Sequence, residues 1–209
     1  MAELNAIENT IEELYNDSKN DYIKMVKSVA KRVFRPLKPE DFKEVYLSIS
    51  REQGKDLVTL IKKEQCKNIV EFGTSFGIST LFLAQGIIET KGNIVTTELI
   101  EGKALKAIEN FKKAGVNDYI EVRIGDALQT LKNYASSIDL LVLDGWKDLY
   151  LPVFKLLEPN FHKKTIIYVD NADMLESKVF LEIVAKDDTY QLESMYGGKV
   201  YLITIKNEE

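Results

Sequence analysis

The chain has 209 residues, 45% of them hydrophobic and 29% charged, an ordinary globular balance with enough length for one domain around a substantial core. A formal net charge of −5 argues against a broad electrostatic grip on nucleic acid, while leaving room for a local basic patch. The single cysteine, Cys66, rules out an intramolecular disulfide and suggests a reducing compartment, and no run approaches the ~18 apolar residues that would cross a bilayer. The first residues lack a basic stretch followed by an apolar one, so no secretory signal is visible and a cytoplasmic location is expected.

The first third reads as helical. Ile7, Ile11 and Leu14 recur at helical spacing, and Tyr22, Met25, Val26, Val29 and Val33 form a second apolar stripe. Arg35-Pro36-Leu37-Lys38-Pro39 interrupts it, because proline lacks the amide a helix interior needs. Ser50 can cap a helix running through Gly54 to Ile61, with Leu57, Val58 and Ile61 on one face. The expected layout is a single domain: a helical lid over residues 1–48 and a core over residues 49–209.

From Asn68 onward, short β-branched runs alternate with amphipathic helices. The expected strands are Ile69–Phe72, Ile94–Glu98, Ile120–Ile124, Asp139–Leu143 and Thr165–Val169. The expected helices lie near Ser79–Thr90, Gly102–Ala114, Ala127–Asn133, Asp148–Leu157 and Asp173–Ala185. Most of the strands are continuous apolar runs, as in a parallel sheet covered on both faces. The end differs: Tyr190–Tyr196 and Lys199–Ile205 flank Gly197-Gly198, which signals a hairpin rather than another crossover. The fold class is therefore α/β, a doubly wound sheet of five parallel strands plus a C-terminal antiparallel hairpin.

Ligands of open α/β sheets bind beyond the carboxyl ends of the strands, which directs attention to the residue after each strand. The first is followed by Gly73-Thr74-Ser75-Phe76-Gly77-Ile78-Ser79, where glycines permit a tight turn and Ser79 opens a helix whose free amides suit a carboxylate. Glu71 before the first glycine suits a cationic amino group better than a pyrophosphate, and the spacing differs from the dinucleotide fingerprint. A structural turn is the alternative. Glu98, ending the second strand, can accept both hydroxyls of a ribose or simply be solvated. Asp126, beside Ala127, can reach an adenine amino group or cap a helix, and the two roles are compatible.

The fourth and fifth strands end in Asp144-Gly145-Trp146-Lys147 and Asp170-Asn171. Each aspartate alone reads as a helix cap. Together Asp144, Asp170 and Asn171 offer three oxygens to a hard cation such as Mg²⁺, which takes about six and leaves about three for water and substrate. A lysine beside a bound cation is pushed toward the neutral form that a general base requires, so Lys147 is the candidate base. Trp146 is either a core residue or a wall on which adenine stacks. His162 follows an apparent loop, Glu158-Pro159-Asn160-Phe161, and reads as exposed rather than catalytic, and Cys66 as packing rather than a nucleophile.

At these residues the chain resembles the cation-dependent class I S-adenosylmethionine O-methyltransferases, the catechol and caffeoyl-CoA enzymes and their bacterial relatives, from about Ser50 to the C-terminus. The resemblance implies a Rossmann-like class I methyltransferase sheet. It implies that Glu71, Gly73, Thr74 and Ser79 hold the methionine part of the cofactor, Glu98 its ribose, and Asp126, Ala127, Asp144 and Trp146 further contacts. It also implies Mg²⁺ on Asp144, Asp170 and Asn171, with Lys147 taking the proton of a small hydroxylated acceptor. Gly145 departs from the pattern, standing where the catechol enzyme has a histidine. The tail around Tyr196-Gly197-Gly198-Lys199-Val200 lacks the carboxylate that helps hold a catechol, Glu193 being the nearest acid. Two other readings stay open: a tRNA-modifying methyltransferase of the same fold, using a basic face at Lys24, Lys27, Lys31, Arg32 and Arg35, and a non-catalytic cofactor-binding protein. The apolar N-terminal stripes leave room for a homodimer.

Overall fold

The computed structural model describes residues 2–18 and 49–206. The second apolar stripe (Tyr22 to Val33), the Pro36–Pro39 interruption and the basic face from Lys24 to Arg35 lie outside the described residues. Five apolar runs form parallel strands β1 (Asn68–Phe72), β2 (Asn93–Glu98), β3 (Ile120–Ile124), β4 (Ile138–Leu143) and β5 (Phe161–Val169). Strands β6 (Tyr190–Met195) and β7 (Val200–Ile205) form the antiparallel hairpin, with β7 against β5. The order across the sheet is β3-β2-β1-β4-β5-β7-β6, so its direction of growth reverses between β1 and β4.

Alternation of side chains along each strand sends them to two cores. Ile69, Ile94, Leu140, Val142, Ile166 and Tyr168 pack under helices α1 (Ala2–Ser18), α2 (Arg51–Glu64), α3 (Ile78–Thr90) and α4 (Glu101–Ala114). Val70, Val95, Leu141, Leu143, Ile167 and Val169 pack under α5 (Ala127–Thr130), α6 (Tyr150–Leu157) and α7 (Leu175–Val184). This is the doubly wound arrangement expected of the sequence.

Helix α1 is held by its stripe: Ile7, Ile11 and Leu14 are all buried, each burial stabilising by about 1.5–3 kcal/mol. Arg51 reinforces the contact by pairing with Glu12 at 2.6 Å and lying over the Tyr15 ring. Ser50 caps α2 as expected and does so reciprocally: its hydroxyl accepts from the Gln53 amide, while the Gln53 side-chain oxygen accepts from the Ser50 amide.

Of the boundaries that differ from the sequence reading, three have a visible cause. β5 starts at Phe161 rather than Thr165, because Phe161 pairs with Ile138 across a register shift that the exposed Lys163 and Lys164 conceal. α5 stops at Thr130 rather than Asn133, since the Tyr134 amide turns back onto the Leu131 carbonyl and feeds the chain into β4. The helix expected from Asp148 begins as a 3₁₀ turn over Lys147–Leu149, with Pro152 accommodated in the first turn of α6, where no intrahelical amide bond is lost. No described helix is long and apolar enough to cross a membrane.

Candidate functional site at the strand ends

Register builds the site. Phe72 is level with Leu143, and Leu143 with Val169, so the next residues on β4 and β5, Asp144 and Asp170, leave adjacent strand ends together. The Asp144 amide still bonds to Phe72 and the Asp170 amide to Leu143, which extends both ladders by one residue. By alternation both aspartates share the face that carries Glu71, Val142 and Tyr168.

Asp144 and Asp170 meet over the side chain of Asn171, whose amide nitrogen donates to Asp144 Oδ1 at 3.0 Å and to Asp170 Oδ2 at 2.7 Å. Asn171 sits at φ +53°, a left-handed conformation that asparagine tolerates better than most residues. Gln53 Nε2 donates to Asp170 Oδ1 at 2.8 Å, and the Tyr150 hydroxyl to the Asp170 carbonyl at 3.0 Å. Lys147 Nζ donates to the Gly145 carbonyl at 2.9 Å and lies 3.7 Å from Asp144 Oδ1. The two side chains are only 16% and 10% exposed, so this is an interior pair rather than a surface one.

Burial, followed by the charge of Asp170, pushes the Asp144 carboxyl well above the ordinary carboxylate range, with Lys147 opposing. Burial likewise raises Asp170, against the Asn171 backbone amide and Lys147. Among the described residues one lysine stands beside the two carboxylates, so with both ionised the site would hold excess negative charge, which a shared proton or a hard cation would relieve. The donors suit one. Among the described residues no three His, Cys, Asp or Glu side chains gather, so a third donor beside the two carboxylates would come from the Asn171 amide. A turn of the Asn171 amide about its last bond exchanges nitrogen for oxygen and completes a three-oxygen set.

Glu71 lies deeper, with no exposed surface. Its Oε2 accepts from the hydroxyls of Thr80 at 2.5 Å and Thr96 at 2.6 Å, while Oε1 has no partner. Burial raises its pKa and the Ser79, Thr80 and Thr96 hydroxyls oppose the rise. A bare, buried carboxylate oxygen is costly unless something pairs with it, which suits a cationic amino group. The Thr74 hydroxyl is turned into the same network, 2.6 Å from that of Thr96. Gly73 stands at φ +109°, and a Cβ there would fall 2.7 Å from the Asp144 carbonyl, so the loops after β1 and β4 touch through it.

Glu98 accepts from the Ser75 amide at 2.8 Å and the Ile100 amide at 2.9 Å, which ties the second strand end to the glycine loop. Asp126 is the N-cap of α5, accepting from the Leu128 amide at 2.9 Å, and Ala127 follows it, buried. Trp146 Nε1 donates to Asp148 at 3.2 Å, and its ring packs partly against the core under α6. Gly145 is explained by its neighbour: a Cβ there would meet the Phe72 ring at 2.5 Å, leaving no room for the histidine found in the catechol enzyme.

Three residues lie away from these strand ends. His162 is a correction: it is not exposed but half-buried in β5, with Nε2 2.9 Å from Asp139 Oδ1 at the opposite end of the strands. Cys66 is buried there too, its thiol pushed up to about 12 by burial and then by Asp139 and Glu64. Glu193 lines a shallow cavity with Leu60, Lys63 and Glu64, toward the other end of α2 from Gln53, and so does not stand in for the missing tail carboxylate. Tyr196, in the hairpin turn, donates instead to Asp56 of α2.

Sequence reasoning passed over Gln53, Thr80, Thr96 and Lys103. The last is almost fully buried in α4, its Nζ 3.4 Å from the Ser75 hydroxyl and over the Phe76 ring. A lysine in an amphipathic helix gives no local sign of burial. Gln53, by contrast, stands three residues after Ser50, the spacing of a capping box.

The family model for O-methyltransferases matches residues 24–195. Catechol O-methyltransferase of Mycobacterium tuberculosis is 34% identical over 126 residues, 60% of this chain and 57% of the relative. That of Niastella koreensis is 31% identical over 129 residues, 60% of this chain and 58% of the relative. The matched stretch thus spans a little over half of each relative. Among solved structures, an O-methyltransferase of Bacillus cereus in complex with SAH superposes with a TM-score of 0.70 at 24% identity, covering 95% of this chain and 91% of the other. An SAH-bound methyltransferase of Podospora anserina gives 0.71 at 23% identity, covering 96% of each chain. The chain belongs to the O-methyltransferase family.

Proposed function

We propose that this member of the O-methyltransferase family moves a methyl group from S-adenosylmethionine to one hydroxyl of a small acceptor with vicinal oxygens. The observation that carries the reading is the pair Asp144 and Asp170, two interior carboxylates at neighbouring strand ends with Lys147 beside them. Mg²⁺ on Asp144, Asp170 and Asn171 would lower the pKa of an acceptor hydroxyl and orient both acceptor oxygens. Lys147, 3.7 Å from Asp144, would accept the hydroxyl proton on Nζ. Gln53 and Asn171 fix the carboxylates, so the protein's contribution is largely alignment of oxygen, methyl and sulfur.

On the cofactor side, Glu71 would take the amino group on its unpartnered Oε1, with Gly73, Thr74 and Ser79 around the methionine portion. Glu98 would receive the ribose hydroxyls, and Asp126, Ala127 and Trp146 the adenine. Residues 1–48 would cover the acceptor side of this cleft and residues 49–209 form the cofactor-binding core. The catechol relatives support an aromatic diol, and the absence of a tail carboxylate at Tyr196–Val200 favours an acceptor that does not require it.

Calorimetry with the methylated cofactor and its demethylated product tests the first half: both are expected to bind, and NAD to give no heat. A phenol and catechol panel assayed with Mg²⁺ and again in excess chelator tests the second. Tight NAD binding with no response to the methyl donor, or full turnover in chelator, would overturn the corresponding half.

A further inference from the structure

We infer that Gln53 is a positioning residue for the cation site, fastening the first turn of α2 to Asp170 across 117 positions of sequence. Its carboxamide makes two bonds at once. Oε1 accepts from the Ser50 amide at 2.8 Å, which closes the N-terminus of α2, and Nε2 donates to Asp170 Oδ1 at 2.8 Å. A side-chain amide carries an acceptor and a donor on one terminal group, and Gln53 uses both. A glutamate here would cap the helix but repel Asp170, and a lysine or arginine would hold Asp170 but leave the Ser50 amide unmet.

The consequence falls on the geometry of the carboxylate. With Oδ1 held by Gln53, Oδ2 faces Asn171, which also bridges to Asp144. Gln53 therefore sets the rotation of Asp170 and leaves one oxygen turned toward the other donors. The same carboxamide thus serves two ends, its oxygen the cap of α2 and its nitrogen the orientation of Asp170. This rests on the cation site proposed above, and Gln53 acts on it only through Asp170.

The test uses the full chain with Mn²⁺ as the probe, free Mn²⁺ being read by electron paramagnetic resonance and amide exchange by mass spectrometry. Four variants are compared with wild type: Asp170→Ala, Gln53→Met, Gln53→Asn and Ser50→Ala. Asp170→Ala is expected to abolish binding. Gln53→Met is expected to weaken it by about 10–100-fold, the usual loss when a group that orients a metal ligand is removed. Gln53→Asn, the same amide one methylene shorter, is expected to fall short of Asp170 and show a comparable loss. Ser50→Ala removes the hydroxyl half of the cap and leaves the Gln53–Asp170 bond, so it is expected to speed exchange at the start of α2 with Mn²⁺ affinity unchanged. Wild-type affinity in either folded Gln53 variant overturns the inference. So does an equal loss in Ser50→Ala, which would trace the effect to helix fraying alone. If wild type binds no Mn²⁺, the cation site itself fails, a result distinct from either.

Discussion

Strand β4 carries an aspartate at each end, and their environments are opposite. Asp139, in the second position of the strand, accepts from the Lys67 and Asn68 amides at 2.8 Å each and faces His162 at 2.9 Å. Burial works against its charge, yet those two amides and His162 outweigh it and hold the carboxyl below its usual value. Asp144, just past the strand's last residue, is more deeply buried, has a second carboxylate as its neighbour and is raised well above the usual range. One end is electrostatically satisfied and ties β1, β4 and β5 together. At the other, burial and the neighbouring Asp170 both disfavour the charged carboxylate. That asymmetry marks Asp139 as structural and fits Asp144 to the proposed cation site.

The largest expected effect lies at the Asp144 end. Lys147→Met keeps the length and most of the apolar body of the side chain while removing the amine. Loss of a general base costs about 10²–10⁴-fold in rate, and a fall of that size in kcat with cofactor and cation affinity nearly unchanged is the expected outcome. The measurement is steady-state turnover on a cognate acceptor, alongside calorimetry for the two ligands. Turnover within a few-fold of wild type would reduce Lys147 to a counter-ion of Asp144.

Stability should move in opposite directions when the two aspartates are neutralised. Asp139→Ala leaves the Lys67 and Asn68 amides without their acceptor, a loss of about 1–3 kcal/mol. For a chain of this size each kcal/mol shifts Tm by about 2–4 °C. Asp144→Asn removes one of two crowded charges, so the cation-free variant is expected to melt above wild type near neutral pH. The pH dependence follows from the signs. A carboxyl lowered by folding stabilises above its unfolded pKa, and that contribution is lost as pH falls through the lowered value, which is the Asp139 case. A carboxyl raised by folding favours the native state below its unfolded pKa, and the benefit is lost as pH rises through the raised value, which is the Asp144 case. The gain from Asp144→Asn should therefore vanish in acid and be largest at neutral pH. Thermal melts in chelator across that range check it, and a destabilised Asp144→Asn at neutral pH would count against the repulsion.

The two ends of β4 were not equally legible in the sequence. Continuous apolar runs revealed the parallel strands, and the rule that ligands sit beyond strand ends singled out Glu71, Glu98, Asp144 and Asp170. Period-two alternation then places Glu71, Asp144 and Asp170 on one face, as the structure shows. What stayed hidden depends on contacts between distant segments. Nothing near Thr80 or Thr96 announces that both hydroxyls converge on Glu71, and nothing near Lys103 announces that a helical lysine is buried. His162 reads as exposed for the same reason: its partner Asp139 lies 23 residues upstream, and Glu158-Pro159-Asn160-Phe161 before it resembles a loop. Local pattern reports which face a residue takes, and the fold alone decides what meets it there.

The smallest expected effect is at His162, and it sharpens the comparison because a sole histidine invites a catalytic role. The Lys164 amide donates to Nδ1 at 3.2 Å, and Nε2 lies 2.9 Å from Asp139 Oδ1. Both ring nitrogens are thereby engaged at the start of β5, at the end of the strands opposite Asp144 and Asp170. The pair is partly exposed, 36% for His162 and 24% for Asp139, so water can replace the ring as a donor to the carboxylate. His162→Ala should then cost less than about 1 kcal/mol, the scale of a solvent-accessible ion pair. Asp139→Ala should cost more, because the buried amide bonds go with it. Turnover and its pH profile should be unchanged in His162→Ala. A loss of rate with an unaltered melting temperature would place proton transfer at the wrong end of β4 and break the division between its two aspartates.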